Sequence, residues 1–264
     1  MDLQLTNKKA LVTGSTAGIG FAIASLLAQE GASVVVNGRS FTRIEDAVNR
    51  IRKEKADAKV TGVAADLGTK EGVDLLTSKL PEVDILVNNL GIFEAKPFGE
   101  ITDEDWLRFF EVNVLSGARL SRFYLPKMLE KNWGRIVFIS SESGLNIPIE
   151  MIHYGVTKTA QIALARGLAE MTTGTNVTVN SVLPGPTRSE GVGQFVKDLS
   201  KQQGMDEATF ESEFFRSVRP SSLLKRFATP EEVAAMVVYV CSGKASATNG
   251  AALRVDGGVV RSIV

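Results

Sequence analysis

At 264 residues, 44% hydrophobic and 23% charged, the chain suits one domain with a full core, and it shows no internal repeat, low-complexity tract or charged tail. Its thirty basic and thirty acidic residues cancel, which argues against a broad nucleic-acid or anionic-membrane surface while leaving room for a local phosphate site. The single cysteine, Cys241, can form no internal disulfide, Met1 to Lys9 lacks an apolar signal core, and no run approaches the roughly 18 apolar residues of a membrane span, so a reducing, cytoplasmic setting is expected.

Ala10-Leu11-Val12 reads as a first strand, stopping at Thr13-Gly14-Ser15-Thr16-Ala17-Gly18-Ile19-Gly20. Ala22, Ile23, Leu26 and Leu27 then follow at helical spacing, with Gly31 as the stop. A strand, a glycine turn and a helix present bare backbone N–H groups and a helix N-terminus to a diphosphate. The second strand is Ser33 to Val36, followed by Asn37-Gly38-Arg39-Ser40. An acid there would hold a ribose 2′-hydroxyl, whereas an arginine accommodates a 2′-phosphate. Arg39 therefore points to NADP(H), the other reading being a side chain stacked on adenine or left in solvent.

A charged amphipathic helix is expected from Phe41 to Glu54, and a third strand from Val60 to Ala64, ending at Ala65-Asp66-Leu67. Asp66 is placed either to accept from an adenine amino group or to cap the next helix. A fourth strand, Ile85 to Val87, runs into Asn88-Asn89-Leu90-Gly91, where Asn88 could lock neighbouring strand backbones and Gly91 would leave room for a ligand. One helix is predicted from the Thr102 cap to about Lys131, kinked at Pro126, with Asn113 as an unfavoured residue in its middle.

Arg135 to Ile139 is the fifth strand, and Ser141 follows at its carboxyl end, where ligands of such sheets bind. Tyr154 and Lys158 lie four apart on one helix face. A cation near a phenol favours the phenolate, making the tyrosine usable as a general acid or base. A sixth strand, Val177 to Val182, ends at Pro184-Gly185-Pro186-Thr187. Residues 188–223 break the rhythm and carry Phe195, Leu199, Met205, Phe210, Phe214 and Phe215, which reads as a substrate lid for a partly apolar substrate. Thr229-Pro230-Glu231-Glu232 starts a last helix, and Ala252 to Val255 is the seventh strand before Asp256-Gly257-Gly258.

In this order these motifs resemble the short-chain dehydrogenase/reductase family over nearly the whole chain, from Lys9 to Gly258. The resemblance implies a single-domain α/β Rossmann fold over 1–264, doubly wound, with a parallel sheet of about seven strands and helices on both faces. It implies a hydride transfer between a nicotinamide, NADP(H) preferred and NAD(H) possible, and a small-molecule carbonyl/alcohol pair. Tyr154 would be the general acid/base, Ser141 would hold the substrate oxygen, Lys158 would lower the tyrosine pKa and bind the ribose, and Asn113 would hold a relay water. Gly14, Ser15, Gly18, Ile19 and Gly20 would line the phosphates and ribose, Asp66 and Leu67 the adenine, and Asn89 and Gly91 the adjoining ribose. Pro184, Gly185, Thr187 and Ser189 would meet the nicotinamide. A homotetramer, or a homodimer, would form through the helices at about Asp103–Lys131 and Ile152–Met171.

Leu90 departs from the family's usual alanine, and Ala17 stands where many NADP-dependent members carry a basic residue, so the 2′-phosphate reading rests on Arg39. No metal-ligand spacing is present. His153, adjacent to Tyr154, is expected to point elsewhere; Glu142 is read as a substrate contact or a solvated loop acid; Cys241 is expected in the core of the last helix. The alternative functions are a nucleotide-sugar epimerase or dehydratase, which shares the Tyr/Lys pair, and a non-catalytic nucleotide sensor.

Overall fold

The computed structural model of the protein describes residues 1–191, 193 and 205–263. Seven parallel strands form one sheet in the order β3-β2-β1-β4-β5-β6-β7. They are β1 (Lys9–Val12), β2 (Ser33–Gly38), β3 (Val60–Ala64), β4 (Ile85–Asn88), β5 (Gly134–Ile139), β6 (Val177–Pro184) and β7 (Ala252–Val255). Strand order reverses between β1 and β4, and the crevice outside the carboxyl ends of these two strands is where such sheets take ligands.

Side-chain alternation explains why helices cover both faces. Ala10 and Val12 of β1, Val34 and Val36 of β2, and Ile85 and Val87 of β4 point to one core; Leu11, Val35 and Leu86 point to the other. The first face is packed by α1 (Gly18–Gln29), α2 (Phe41–Glu54) and α8 (Pro230–Cys241), through Ile23, Leu27, Ile51 and Val237. The second is packed by α3 (Lys70–Lys79), α5 (Ser116–Glu130) and α6 (Ile152–Glu170), through Leu76, Leu120, Tyr124 and Ala165. Cys241 is fully buried on the first face, as expected. No helix among the described residues is long and apolar enough to cross a membrane.

The structure bears on three further expectations. The long helix runs from the Thr102 cap to Glu130 as expected, but a π turn at Glu111–Leu115 interrupts its α form, dividing it into α4 (Asp103–Phe110) and α5, with Pro126 inside α5. Asp66 is not the cap of α3; Thr69 is, its hydroxyl accepting from Gly72 N at 3.0 Å. Of the phenylalanines read as part of a lid, those described pack together. Phe210 and Phe215, from α7 (Glu207–Ser217), bury themselves against Phe227, with Phe214 stacked on Phe227 at 5.1 Å, so they form a small core of their own. Phe195 and Leu199 lie outside the described residues.

Candidate active site

Ser141 follows β5 by two residues, and Tyr154 sits in the first turn of α6. The two elements are stitched together: Ser140 Oγ donates to Lys158 O at 2.8 Å, and Thr159 Oγ1 donates to Gly144 O at 2.7 Å. Gly155 lets them close, because a Cβ there would stand 2.6 Å from Ile147 Cγ2 and 3.0 Å from Ser143 O. The Ser141 hydroxyl, which accepts from Ser143 N at 3.1 Å, is thereby brought close enough to the half-buried Tyr154 phenol to favour its ionised form. Phe93, half exposed, meets the tyrosine ring edge-on at 6.4 Å.

Lys158 is buried one turn on, its Nζ 5.5 Å from the Tyr154 ring centroid. The ammonium does not turn to the phenol. It donates to Ile139 O at 2.9 Å and Gln161 Oε1 at 3.1 Å. The expected lowering of the phenol by Lys158 is therefore not what the structure shows. Burial pushes the phenol up to about 12, and the groups acting on it besides Ser141 are Glu142, which raises it, and Arg219, which lowers it. Burial likewise pulls Lys158 down to about 7.

The π turn explains Asn113. It is fully buried; its Oδ1 accepts from Ile92 N at 2.8 Å, and its Nδ2 donates to Ile92 O and to Thr157 Oγ1, each at 3.0 Å. The widened turn carries this amide to both the segment after β4 and α6. The connection to Lys158 runs through Gln161, whose Nε2 donates to Asn113 O at 2.5 Å. Gln161 escapes a motif reading, although its place three residues after Lys158 puts it on the same helix face. Gly91 faces this cluster: a Cβ there would lie 3.4 Å from Lys158 Nζ and 3.5 Å from Asn113 Oδ1.

On the β1–β4 side the glycine turn is built for close approach. Gly14 and Gly18 both have φ of 58°, which only glycine adopts without strain. A Cβ on Gly20 would collide with Asn89 Nδ2 and stand 2.6 Å from Gly14 O. The α1 helix that follows has Ala17 at its N-cap, no side-chain cap and no acid in its first turn. By contrast α2, α3, α4, α7 and α8 are each capped by a side chain: Ser40, Thr69, Thr102, Asp206 and Thr229. The uncapped N–H groups and positive end of α1 suit a diphosphate, so the residues present fit a dinucleotide.

Several predicted contacts are reassigned. Ser15 Oγ is buried between Val12 O (2.6 Å) and Asn37 N (3.0 Å), and Leu67 is buried in the core, so only their backbones remain for a ligand. Ile19 packs its half-buried side chain against the core edge. Asn89 Nδ2 donates to Thr13 O (2.9 Å) and Gly14 O (3.0 Å), bracing the glycine turn. Asn88 does not tie strand backbones; its Nδ2 donates to Ser121 Oγ of α5 at 3.3 Å. Asp66 is exposed, with Oδ1 accepting from Gly68 N at 3.0 Å. Arg39 is exposed beyond β2 and makes no hydrogen bond or ion pair among the described residues.

The turn after β6 closes the other wall of the crevice. Gly185 lies against β7's end, where a Cβ would be 2.6 Å from Asp256 O, and Gly185 N donates to Val255 O at 3.0 Å. Pro184 ends β6 opposite Val255, and Thr187 is buried with its hydroxyl on Gly185 O at 2.9 Å. Ser189 comes back to the glycine turn: a Cβ on Gly18 would be 3.2 Å from its Cβ.

Asn37 is the residue the sequence reading passed over. Its Oδ1 accepts from Gly14 N at 3.2 Å, and its Nδ2 donates to Val63 O (3.1 Å) and Ala65 O (3.2 Å), so one buried amide joins the glycine turn to β3. Glu142 is neither solvated nor idle: it is 3% exposed, and Arg219 Nε donates to its Oε1 at 3.0 Å. His153 points away from the phenol, as expected, 4.0 Å from the Phe109 ring centroid, and burial lowers its pKa.

The short chain dehydrogenase family model matches residues 8–200. The oxidoreductase YvrD of Bacillus subtilis (strain 168) is 51% identical, and YvaG of the same organism 49% identical, each over 100% of both chains. Among solved structures, L-sorbose reductase from Gluconobacter frateurii, complexed with NADPH and L-sorbose, superposes with a TM-score of 0.93 at 32% identity, covering 100% of both chains. Sequence agreement along the full length, together with a sheet and crevice of the matching kind, shows that this protein is an oxidoreductase belonging to the short-chain dehydrogenase/reductase family.

Proposed function

We propose that the protein is an NADPH-preferring reductase that interconverts a ketone or aldehyde with the corresponding alcohol. The observation that carries the reading is the placement of Ser141 at the carboxyl edge of β5 beside the first turn of α6, which carries Tyr154. The nicotinamide, when bound, supplies the hydride to the carbonyl carbon, or takes it back in oxidation. The chain's own residues handle the oxygen. Ser141 orients it by a hydrogen bond, and Tyr154 gives its phenolic proton as the carbonyl oxygen gains negative charge. A phenol held at about 12 is protonated at neutral pH, as an acid for reduction must be. Lys158, held near 7 by burial and turned to Ile139 O and Gln161, has the role of binding the ribose hydroxyls of the cofactor rather than acting on the phenol. Asn113 and Gln161 hold Lys158 and the start of α6 in place.

Tyr154→Phe should lower kcat by roughly 100- to 10,000-fold with NADPH affinity largely kept. Undiminished ketone reduction by that variant would defeat the assignment. The NADPH preference rests on Arg39, which is exposed beyond β2 and has no partner among the described residues, and is supported by the NADPH complex of the sorbose reductase. Calorimetric titration of both cofactors into wild type and Arg39→Ala should show a selective loss of NADPH affinity; equal affinities in the wild type would overturn it. A homotetramer formed through α4, α5 and α6 is the assembly proposed, and light scattering that reads a monomer at micromolar concentration would refute it.

A further inference from the structure

Gln161 is 1% exposed and spans two elements of the site. Its Nε2 donates to Asn113 O of the π turn at 2.5 Å, and its Oε1 accepts from Lys158 Nζ at 3.1 Å. The Asn113 side chain is turned to Ile92 and Thr157, so its link with Lys158 starts from its backbone carbonyl. The relay that the resemblance implies would join Asn113 to Lys158 through water; here a side-chain amide joins them. A carboxamide neither gains nor gives up a proton near neutral pH, so this link holds the ammonium rather than relaying for it.

A carbonyl only accepts, whereas a carboxamide has one donating and one accepting end. Asn113 O therefore fixes which way the Gln161 amide faces, and with it the oxygen that meets Nζ. An ammonium has three N–H groups. Ile139 O takes one at 2.9 Å and Gln161 Oε1 a second. One remains, and Gly91 leaves space beside Nζ, where a Cβ would touch it at 3.4 Å. We infer that Gln161 is a positioning residue: by holding Nζ from the Asn113 side it aims the remaining N–H of Lys158 at the cofactor's ribose hydroxyls, so that NADPH affinity depends on a residue that does not touch NADPH. This rests on the ribose role of Lys158 in the reductase reading above. Around the ammonium, β5, the π turn and the segment after β4 bring a carbonyl, an amide and a glycine, none of them titratable. On α6 the titratable group facing it is Tyr154, its ring centroid 5.5 Å away, and Glu142 on the turn after β5 is held by Arg219 at 3.0 Å.

The test is calorimetric titration of NADPH at pH 6, where the Lys158 ammonium is the main form, into Gln161→Met and Gln161→Glu. Both variants lose the bond to Asn113 O. Methionine also loses the acceptor for Nζ, whereas an ionised glutamate keeps it. Gln161→Met should weaken NADPH binding roughly 10-fold or more, and Gln161→Glu by no more than about 3-fold. In wild type, NADPH affinity should fall as pH rises above about 7 and Lys158 loses its proton. A carboxylate beside the amine favours its charged form, so in Gln161→Glu that fall should move up by about one pH unit or more. The 2′-phosphate titrates alike in both proteins and drops out of the comparison. Equal losses in the two variants would show that Gln161 only ties α6 to the π turn, and would overturn the inference. So would full affinity in Gln161→Met or an unmoved pH profile in Gln161→Glu, and that profile decides the matter even if the methionine variant does not fold. A Lys158→Met control separates this inference from the reading beneath it. Affinity lost there but kept in Gln161→Met defeats this inference alone, whereas affinity kept in Lys158→Met defeats the ribose role itself and the inference with it.

Discussion

Lys158 carries an amine into a site 4% exposed, with only a backbone carbonyl and an amide oxygen to receive it. Its pKa in the folded protein is about 7, against 10.5 for the free side chain. Below pH 7 both folded and unfolded chains hold the proton, and the folded one bears the full desolvation cost. Between pH 7 and 10.5 the folded chain releases the proton while the unfolded chain keeps it, so this residue's contribution to stability rises with pH. Lys158→Met should therefore be inactive yet more stable than wild type at pH 6, by about 1–3 kcal/mol, with the advantage shrinking as pH approaches 10. Urea unfolding at the two pH values measures it, and a variant less stable at pH 6, or a gap that ignores pH, would contradict it. The spacing of Tyr154 and Lys158 was legible because a helix fixes which residues share a face. The direction of the ammonium was not, since Ile139 O and Gln161 reach it only once β5 and α6 are packed together.

Turns and strands were legible for a related reason: glycine and period-two alternation are local signals, and all seven strands lie where alternation and apolar runs placed them. What local signals miss is how one element holds another. Asn37 entered the sequence reading only as part of a stretch without an acid, yet it braces Gly14 against β3. Asn89 braces the same turn from β4, and it does so across Gly20, whose missing Cβ makes the space. Gly20→Ala would push a methyl into Asn89 Nδ2 and to within 2.6 Å of Gly14 O. Gly14 O is backbone and cannot swing aside, so the turn must open. The expected cost is about 1–3 kcal/mol in stability, with NADPH affinity lowered by roughly 10-fold or more. Titration calorimetry and a thermal melt read the two effects, and wild-type affinity in the alanine variant would show that the turn is less tightly braced than these contacts indicate. The π turn at Asn113 belongs to the same class: an asparagine in mid-helix signals an irregularity, but its form depends on Ile92 and Thr157, which are remote in sequence.

Across the whole molecule the two ends of the sheet are put to different use. The carboxyl ends carry the glycine turn, Ser141, Tyr154 and the Gly185 turn. The opposite end is tied by Arg135, which is 1% exposed and faces no carboxylate among the described residues. Its Nε donates to Ser242 O at 3.1 Å, just beyond α8, and its Nη1 to Gly134 O and Asn176 O, each at 2.8 Å. The guanidinium also lies 4.7 Å from the Trp133 ring centroid. One side chain thus joins the start of β5, the approach to β6 and the end of α8 at the far edge of the sheet from Tyr154. Burial lowers the pKa of the guanidinium, a cost its carbonyl partners offset. Arg135→Met fills most of the space but leaves three carbonyls without their donor, so a loss of about 2–4 kcal/mol is expected. The strands between Arg135 and Ser141 are close-packed and the crevice draws nothing from this end, so kcat and KM should stay near wild type while the melting temperature falls by several degrees. Denaturant unfolding paired with steady-state kinetics separates the two quantities. A variant that keeps its stability would deny Arg135 its tie, and one that loses catalysis in proportion to stability would deny the division of labour between the two edges of the sheet.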